Sequence, residues 1–364
     1  MKTILLVAGA RPNFVKIAPL MAALAPEHGF DPLLVNTGQH YSDSMSDRFF
    51  ADLNIPAAAF NLNVGSGSHA TQTAEIMRRF EGVLLQVRPD AVLVVGDVNS
   101  TLAAALVAKK EHFPVAHVEA GLRSFDRQMP EEINRLVTDA ISDWLFATEA
   151  AAVANLASEG VPTERVYMVG NVMIDTLVAC RHKIDHSSIG EQLGLKRAEY
   201  VIATLHRPSN VDDAVRLRKY CAMLATIASE IPVVFPVHPR TKICIDRLGC
   251  AEKRHGLKLL DPLGYIEFLA LVQGARAVFT DSGGLQEETT YLNVPCFTMR
   301  DNTERPVTIT SGTNRLVSSD PDVILSYWHA WLHGPPPVRQ ALPPGWDGSA
   351  AVRVRDVLSG ELGI

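Results

Sequence analysis

Cysteine is scarce in this chain. Cys180, Cys221, Cys244, Cys250 and Cys296 are five among 364 residues, odd in number, scattered and without a C-x-x-C pair. That spacing excludes a disulfide framework or a zinc site and reads as reduced thiols in a cytoplasmic protein. Long apolar runs are also missing, so no segment approaches the length that spans a bilayer. Met1-Lys2-Thr3 leads straight into the strand-like ILLVAGAR, without the longer apolar core and small-residue cleavage site of a secretory leader. Charge is low at 20%, and 40 acidic against 34 basic residues leave a net −6 with no long block of one sign. These shortages exclude a disordered chain, a nucleic-acid groove and a membrane-binding stripe. Any anionic ligand must be held by local Arg, Lys and backbone N–H groups, because the overall field is slightly repulsive. Internal repeats and low-complexity tracts are absent too.

What the chain does have is apolar residues, 47% of the total, and more length than one hydrophobic core usually occupies. Short apolar runs at 4–9, 32–38, 91–97, 114–120 and 144–149 alternate with helix-like stretches at 14–25, 71–88, 99–111 and 131–142. A second series follows at 200–205, 232–237, 258–260, 277–281 and 294–299. Alternation of this kind predicts an α/β fold of two Rossmann-like, doubly wound domains. The expected division is 1–170 for the first domain and 199–348 for the second, with 171–198 as the crossover and 349–364 a helix returning to the first. Such a pair predicts a ligand cleft where the carboxyl ends of both sheets face each other.

The chemistry-bearing residues gather at strand ends. Gly9-Ala10-Arg11-Pro12 opens a helix whose N-terminus offers N–H groups to an anion, with Arg11 and Lys16 at its mouth. It carries neither the dinucleotide fingerprint nor the P-loop pattern. Thr280-Asp281-Ser282-Gly283-Gly284 ends another strand, and its glycines let backbone approach a diphosphate closely. Glu288, a turn further along, is placed to accept from ribose hydroxyls. Asp97, Glu119 and Glu131 form an acidic set, because the strands before Asp97 and Glu119 are expected neighbours. Glu119 closes an apolar run and needs a partner, for which Arg123 is the nearest candidate. Carboxylates crowded in this way can hold or take protons near neutral pH. His206-Arg207 and His238-Pro239-Arg240 follow two strands of the second series, and Arg305 lies near another. His117, two residues before Glu119, should point to the same side as that carboxylate.

Together these stretches resemble the non-hydrolysing UDP-N-acetylglucosamine 2-epimerases. The matching motifs are G-A-R-P-N-F-V-K-I-A-P-L, V-V-G-D, H-V-E-A-G-L-R, P-E-E-I-N-R, V-G-N-V-M-I-D, H-R, P-V-H-P-R, T-D-S-G-G-L-Q-E-E and M-R-D-N-T-E-R-P, in family order over 9–315. G-W-D-G-S-A near the C-terminus resembles a closing family motif. The resemblance implies a pair of domains as in B-type glycosyltransferases (GT-B), a UDP-sugar substrate bound mainly by the second, and a homodimer. It implies no metal and no cofactor. UDP is eliminated across C1–C2 to give 2-acetamidoglucal and then adds back after C2 is reprotonated on the other face. By motif position, Asp97, Glu119, Glu131 and His206 match the catalytic residues. Arg11, Lys16, Arg207, His238, Ser282, Gly283, Gly284, Glu288 and Arg305 match the UDP-binding and active-site set.

This chain departs from the family pattern at several places. His206-Arg207 is followed by Pro208-Ser209-Asn210 where many members have Glu after the Arg; G-D-T-T-T is Gly96-Asp97-Val98-Asn99-Ser100; and Pro12-Asn13-Phe14 replaces Pro-Glu-Ala. Some bacterial members are activated by a second substrate molecule. The segment tied to that behaviour is lengthened here over Gln39–Met45, and its expected Arg is missing from Asn63–His69. Weak or absent substrate activation is the expected result, and a sigmoidal rate curve with one substrate would contradict it. Rival readings are an epimerase of another UDP-HexNAc such as a 2,3-diacetamido uronic acid, a hydrolysing relative, a GT-B glycosyltransferase and a non-catalytic sensor. The sensor would have lost one of Asp97, Glu119, Glu131 and His206, and all four are present.

Overall fold

A computed structural model describes residues 1–38, 50–249, 255–334 and 341–364. The chain divides into two compact units, Met1–Ala179 with Pro344–Ile364, and Cys180–Pro343. Each is built on a parallel sheet with helices between the strands, the α/β architecture expected from the alternating runs.

In the first unit the strands are β1 (Lys2–Ala8), β2 (Phe30–Asn36), β3 (Phe60–Asn61), β4 (Ala91–Val95), β5 (Val115–Ala120), β6 (Trp144–Ala147) and β7 (Val166–Met168), in the order β3-β2-β1-β4-β5-β6-β7. β4 is buried along its whole length, which explains its unbroken Val and Leu run. Ile76, Phe80 and Leu84 of the helix His69–Val87 recur at helical spacing and pack on Leu5, Val7, Val92 and Val94. β1 lies between β2 and β4, so the strand order reverses there, and the carboxyl ends of β1 and β4 flank a topological switch point. β4 and β5 are hydrogen-bonded neighbours, as the acidic constellation required.

Residues 171–198 belong to both units. The helix Val172–Ala179 packs on the helix Arg11–Ala23, whereas Arg181–Asp185 and Ile189–Gln192 pack on Tyr265–Gly274 of the second unit. The final helix, Ala350–Leu362, also packs on Arg11–Ala23. Ser349 gives it no side-chain cap. The Asp175 carboxylate does so instead, accepting from the N–H groups of Ala350 at 3.1 Å and Ala351 at 2.7 Å. Burial pushes the Asp175 carboxyl up, against those two hydrogen bonds.

The second unit contains β8 (Val201–Thr204), β9 (Val233–Pro236), β10 (Leu257–Leu260), β11 (Ala277–Thr280), β12 (Cys296–Thr298) and β13 (Asn314–Leu316), ordered β10-β9-β8-β11-β12-β13. Phe279 stacks on Phe297 at 5.1 Å, and Trp328 meets the Phe279 ring edge-on at 5.5 Å, anchoring β11 in the core. β8 lies between β9 and β11, so its carboxyl end is again a switch point. Thr204 pairs in register with Thr280, and their hydroxyls bond at 2.6 Å. That register sets Asp281 beside His206.

Candidate functional site

At the carboxyl ends of β4 and β5, Glu119 sits in an unusual backbone. Its φ is 76°, left-handed, and the β5–β6 register shifts between Val118 and Ala120. A non-glycine residue held there costs about 1–3 kcal/mol and persists only where its surroundings fix it. Its carboxylate is buried and forms an ion pair with Lys16, which is equally buried. This corrects the expectation that Arg123 partners Glu119. Arg123 instead pairs with Asp139 at 2.7 Å and with Glu159 at 2.7 Å. Lys16 also lies over Gly96, where an added Cβ would come within 2.9 Å of its Nζ.

Asp97 follows Gly96 and stays partly open. Arg135 Nη1 donates to its Oδ2 at 2.5 Å, and Asn134 Nδ2 donates to its backbone oxygen at 2.9 Å. Arg135 is in turn clamped by Glu132, whose Oε2 accepts from Nη2 at 2.7 Å and Nε at 3.0 Å. Glu132 also accepts from the backbone N–H groups of Ser124 and Phe125, each at 2.9 Å. Burial raises the Glu132 carboxyl, but the Ser124 N–H and the Arg135 guanidinium outweigh it and leave the acid below its ordinary range. Glu131 begins the same helix, Pro130–Ile141, and is half-buried. Arg11 opens the helix Arg11–Ala23; its side chain lies outside the described residues. So does the whole segment Gln39–Met45.

In the second unit Asp281 is fully buried at the end of β11 and gathers the β8 turn onto itself. Its carboxylate accepts from the backbone N–H of Arg207 at 2.9 Å and from Asn210 Nδ2 at 3.1 Å, and meets His206 Nδ1 at 2.7 Å. Burial raises this carboxyl, yet the His206 imidazole and these hydrogen bonds hold it at about 2. His206 keeps 42% of its side chain exposed, so Nδ1 is held while Nε2 is available to a ligand. Arg207 is anchored through Nε to the Asp281 carbonyl at 3.0 Å. His238 caps the helix Pro239–Leu248, its Nδ1 accepting from Arg240 N at 3.3 Å, and its ring lies 6.1 Å from that of His206.

Ser282 is the N-cap residue of the helix Gly283–Leu292 and makes no side-chain cap, so the first N–H groups of that helix are not taken by a capping side chain. A Cβ on Gly283 would meet Arg305 Nη1 and Glu304 Oε1, both at 2.7 Å, so a larger residue there would have to push this ion pair aside. Arg305 itself is buried among charges, with Nε 2.9 Å from Glu287 and Nη1 2.5 Å from Glu304. Glu288 is buried one turn into the helix. Among the described residues, no group of three or more His, Cys, Asp or Glu is arranged to hold a metal ion, and no helix is long and apolar enough to cross a membrane.

Two turns thus carry the candidate residues, one of acids and buried cations, the other of a helix N-terminus and an oriented histidine. The sequence model of the family described as UDP-N-acetylglucosamine 2-epimerase matches residues 22–359. The chain belongs to the UDP-N-acetylglucosamine 2-epimerase family. It is 40% identical over 364 residues to a UDP-N-acetylglucosamine 2-epimerase of Methanococcus maripaludis, covering 98% of each. It is 41% identical over 326 residues to the UDP-2,3-diacetamido-2,3-dideoxy-D-glucuronate 2-epimerase of Pseudomonas aeruginosa, covering 88% of this chain and 90% of that one. The crystal structure of the Methanocaldococcus jannaschii UDP-GlcNAc 2-epimerase in complex with UDP-GlcNAc and UDP matches with a TM-score of 0.90 at 38% identity, over 99% of this chain and 100% of that chain. The epimerase fold is thus the GT-B-like pair of Rossmann-like units, and the protein is an enzyme of the isomerase class.

Sequence reasoning missed the residues that position the epimerase candidates. Glu132 and Arg135 stand three apart on one helix, the spacing of a helical ion pair, and that was the available signal. Asp281 stood inside the glycine motif without a role of its own, whereas its carboxylate serves the neighbouring turn.

Proposed function

We propose that the protein interconverts UDP-N-acetylglucosamine and UDP-N-acetylmannosamine by inverting C2. One carboxylate takes the C2 proton while the C1–oxygen bond breaks and UDP leaves with the bonding pair, giving 2-acetamidoglucal. A second group delivers a proton to the other face of C2, and a UDP diphosphate oxygen re-forms the bond to C1. The observation that carries this reading is Glu119, strained, buried and ion-paired with Lys16, on the strand beside the one that leads into Asp97. Strained backbone and buried charge pairs cluster at functional sites. Elimination needs proton carriers on both faces of the sugar, and Asp97, Glu119 and Glu131 supply three candidates. The departing diphosphate needs donors that do not reorganise. The N–H groups of Gly283 and Gly284, His206 Nε2 and Arg207 are suited to that, with Ser282 and His238 flanking them. Glu288 suits the ribose. Arg305 acts by fixing Glu287 and Glu304 behind the glycine turn. We further propose that the enzyme works as a cytoplasmic homodimer, which size-exclusion chromatography with light scattering tests.

Incubation with UDP-GlcNAc in D2O, followed by NMR, is expected to show UDP-ManNAc and deuterium at C2. Intact protein that exchanges no C2 proton would sink the reading for this substrate. Identity to the diacetamido-uronate epimerase is level with that to the UDP-GlcNAc epimerase, so the uronate belongs in the same experiment. Exchange confined to it would transfer the reaction to that sugar. Transfer of the sugar to an acceptor would favour a glycosyltransferase.

A further inference from the structure

We propose that His117 and Asp139 are positioning residues for the C2 proton transfer: one buried imidazole–carboxylate pair fixes the two turns that carry Asp97 and Glu119. The inference rests on the epimerase reading above and concerns residues that touch neither the sugar nor the diphosphate.

His117 lies on β5 and is fully buried, as is Asp139 on the helix Pro130–Ile141. His117 Nε2–H donates across the sheet to the Gly96 carbonyl at 2.8 Å, and Nδ1 meets Asp139 Oδ1 at 2.7 Å. Asp139 Oδ2 accepts from the Gly121 N–H at 3.0 Å and pairs with Arg123 at 2.7 Å. Gly96 immediately precedes Asp97, and Gly121 follows Glu119 by two residues. A single pair therefore grips the β4 turn and the β5 turn together.

The backbone shows why a grip is needed there. Gly96, Glu119 and Gly121 have φ of 67°, 76° and 81°, three left-handed positions within two adjacent strand ends. Gly96 N–H donates to the Val118 carbonyl at 3.1 Å, so the two turns are also tied directly. Glycine adopts such angles at little cost, but glutamate does not. Released from the pair, Glu119 gains by relaxing towards ordinary extended backbone, which swings its carboxylate off its present line. A displacement of about 1 Å at a proton-transfer site costs about a hundredfold in rate. Asp139 tolerates full burial because three donors converge on it; burial raises its carboxyl, and His117 and Arg123 bring it below the ordinary range.

The test uses the full chain in D2O with UDP-GlcNAc, with each protein quantified by its UDP-binding sites. Asp139→Asn and His117→Asn are expected to lower kcat for C2 exchange by about a hundredfold, with KM and UDP affinity within roughly threefold of wild type. His117→Gln, whose amide can still donate where Nε2 does, is expected to recover part of that loss. A purely structural pair would reduce the number of UDP-binding sites or the melting temperature and leave kcat per site unchanged, and that result overturns the proposal. Should Asp139→Asn fail to fold, His117→Gln and His117→Asn decide by the same split. Wild-type protein without C2 exchange removes the epimerase reading and this proposal with it. Wild-type exchange alongside unchanged variants removes this proposal alone.

Discussion

Glu119→Gln is expected to lower C2 exchange by about 10²- to 10⁴-fold while UDP still binds. The amide keeps the shape of the side chain and loses the ability to take or return a proton. It also leaves the Lys16 ammonium buried beside a neutral group. Breaking a buried pair from one side costs about 3–5 kcal/mol, so the melting temperature should fall as well. The double variant Lys16→Met with Glu119→Gln separates the two effects, since it removes both charges. Its stability should recover while exchange does not. Turnover retained in the single variant would remove Glu119 from the chemistry. Exchange restored in the double variant would show that the charge balance, not the carboxylate, was what mattered.

The second large effect is expected at a residue that touches no proton of the sugar. Asp281→Asn should reduce kcat by about 10²- to 10⁴-fold, because an amide no longer orients the His206 ring through Nδ1 nor balances the positive charge that lets Nε2–H donate to the diphosphate; the corresponding change in a Ser-His-Asp triad costs about 10⁴-fold. UDP affinity should fall less, since the helix N-terminus at Gly283 is untouched. The same carboxylate makes an acid-stability prediction. Its folded value of about 2 lies below the ordinary 3.8, so its contribution is fully present above about pH 4 and is lost as pH falls towards 2. The shift corresponds to about 2–3 kcal/mol. Melting temperature against pH should therefore fall more steeply below pH 4 in wild type than in the variant. Equal slopes would show that Asp281 is not the group responsible.

Most of the α/β frame was legible because parallel strands buried on both faces are written as short Val, Ile and Leu runs. The strands that escaped notice were β3, β7 and β13, each two or three residues long at or near a sheet edge, too short for any period to register. The strand ends carrying Asp97, Glu119, His206 and Ser282 were legible for the same reason as the strands themselves. Their partners were not. Glu119 finds Lys16, 103 positions earlier, and His206 finds Asp281, 75 positions later, and neither pairing leaves a mark in local spacing. Arg123 looked like the natural partner of Glu119 because it is near in sequence, but the left-handed turn at Glu119 and Gly121 sends the two side chains to different neighbours. His117 is the sharpest case. A histidine inside an apolar strand shows nothing of the aspartate that meets it from the adjoining helix.

The hold of Asp175 on the start of the helix Ala350–Leu362 bears on the order in which the molecule is made. That helix belongs with residues 1–179, yet a ribosome delivers it only after all of Cys180–Pro343 has emerged. Domains of nascent chains generally fold in the order they appear, at roughly 5–20 residues per second. Here residues 1–179 are translated before the second unit and completed after it. During synthesis, the surface of the helix Arg11–Ala23 that the final helix will cover stays open to water and to chaperones until the whole second unit is out.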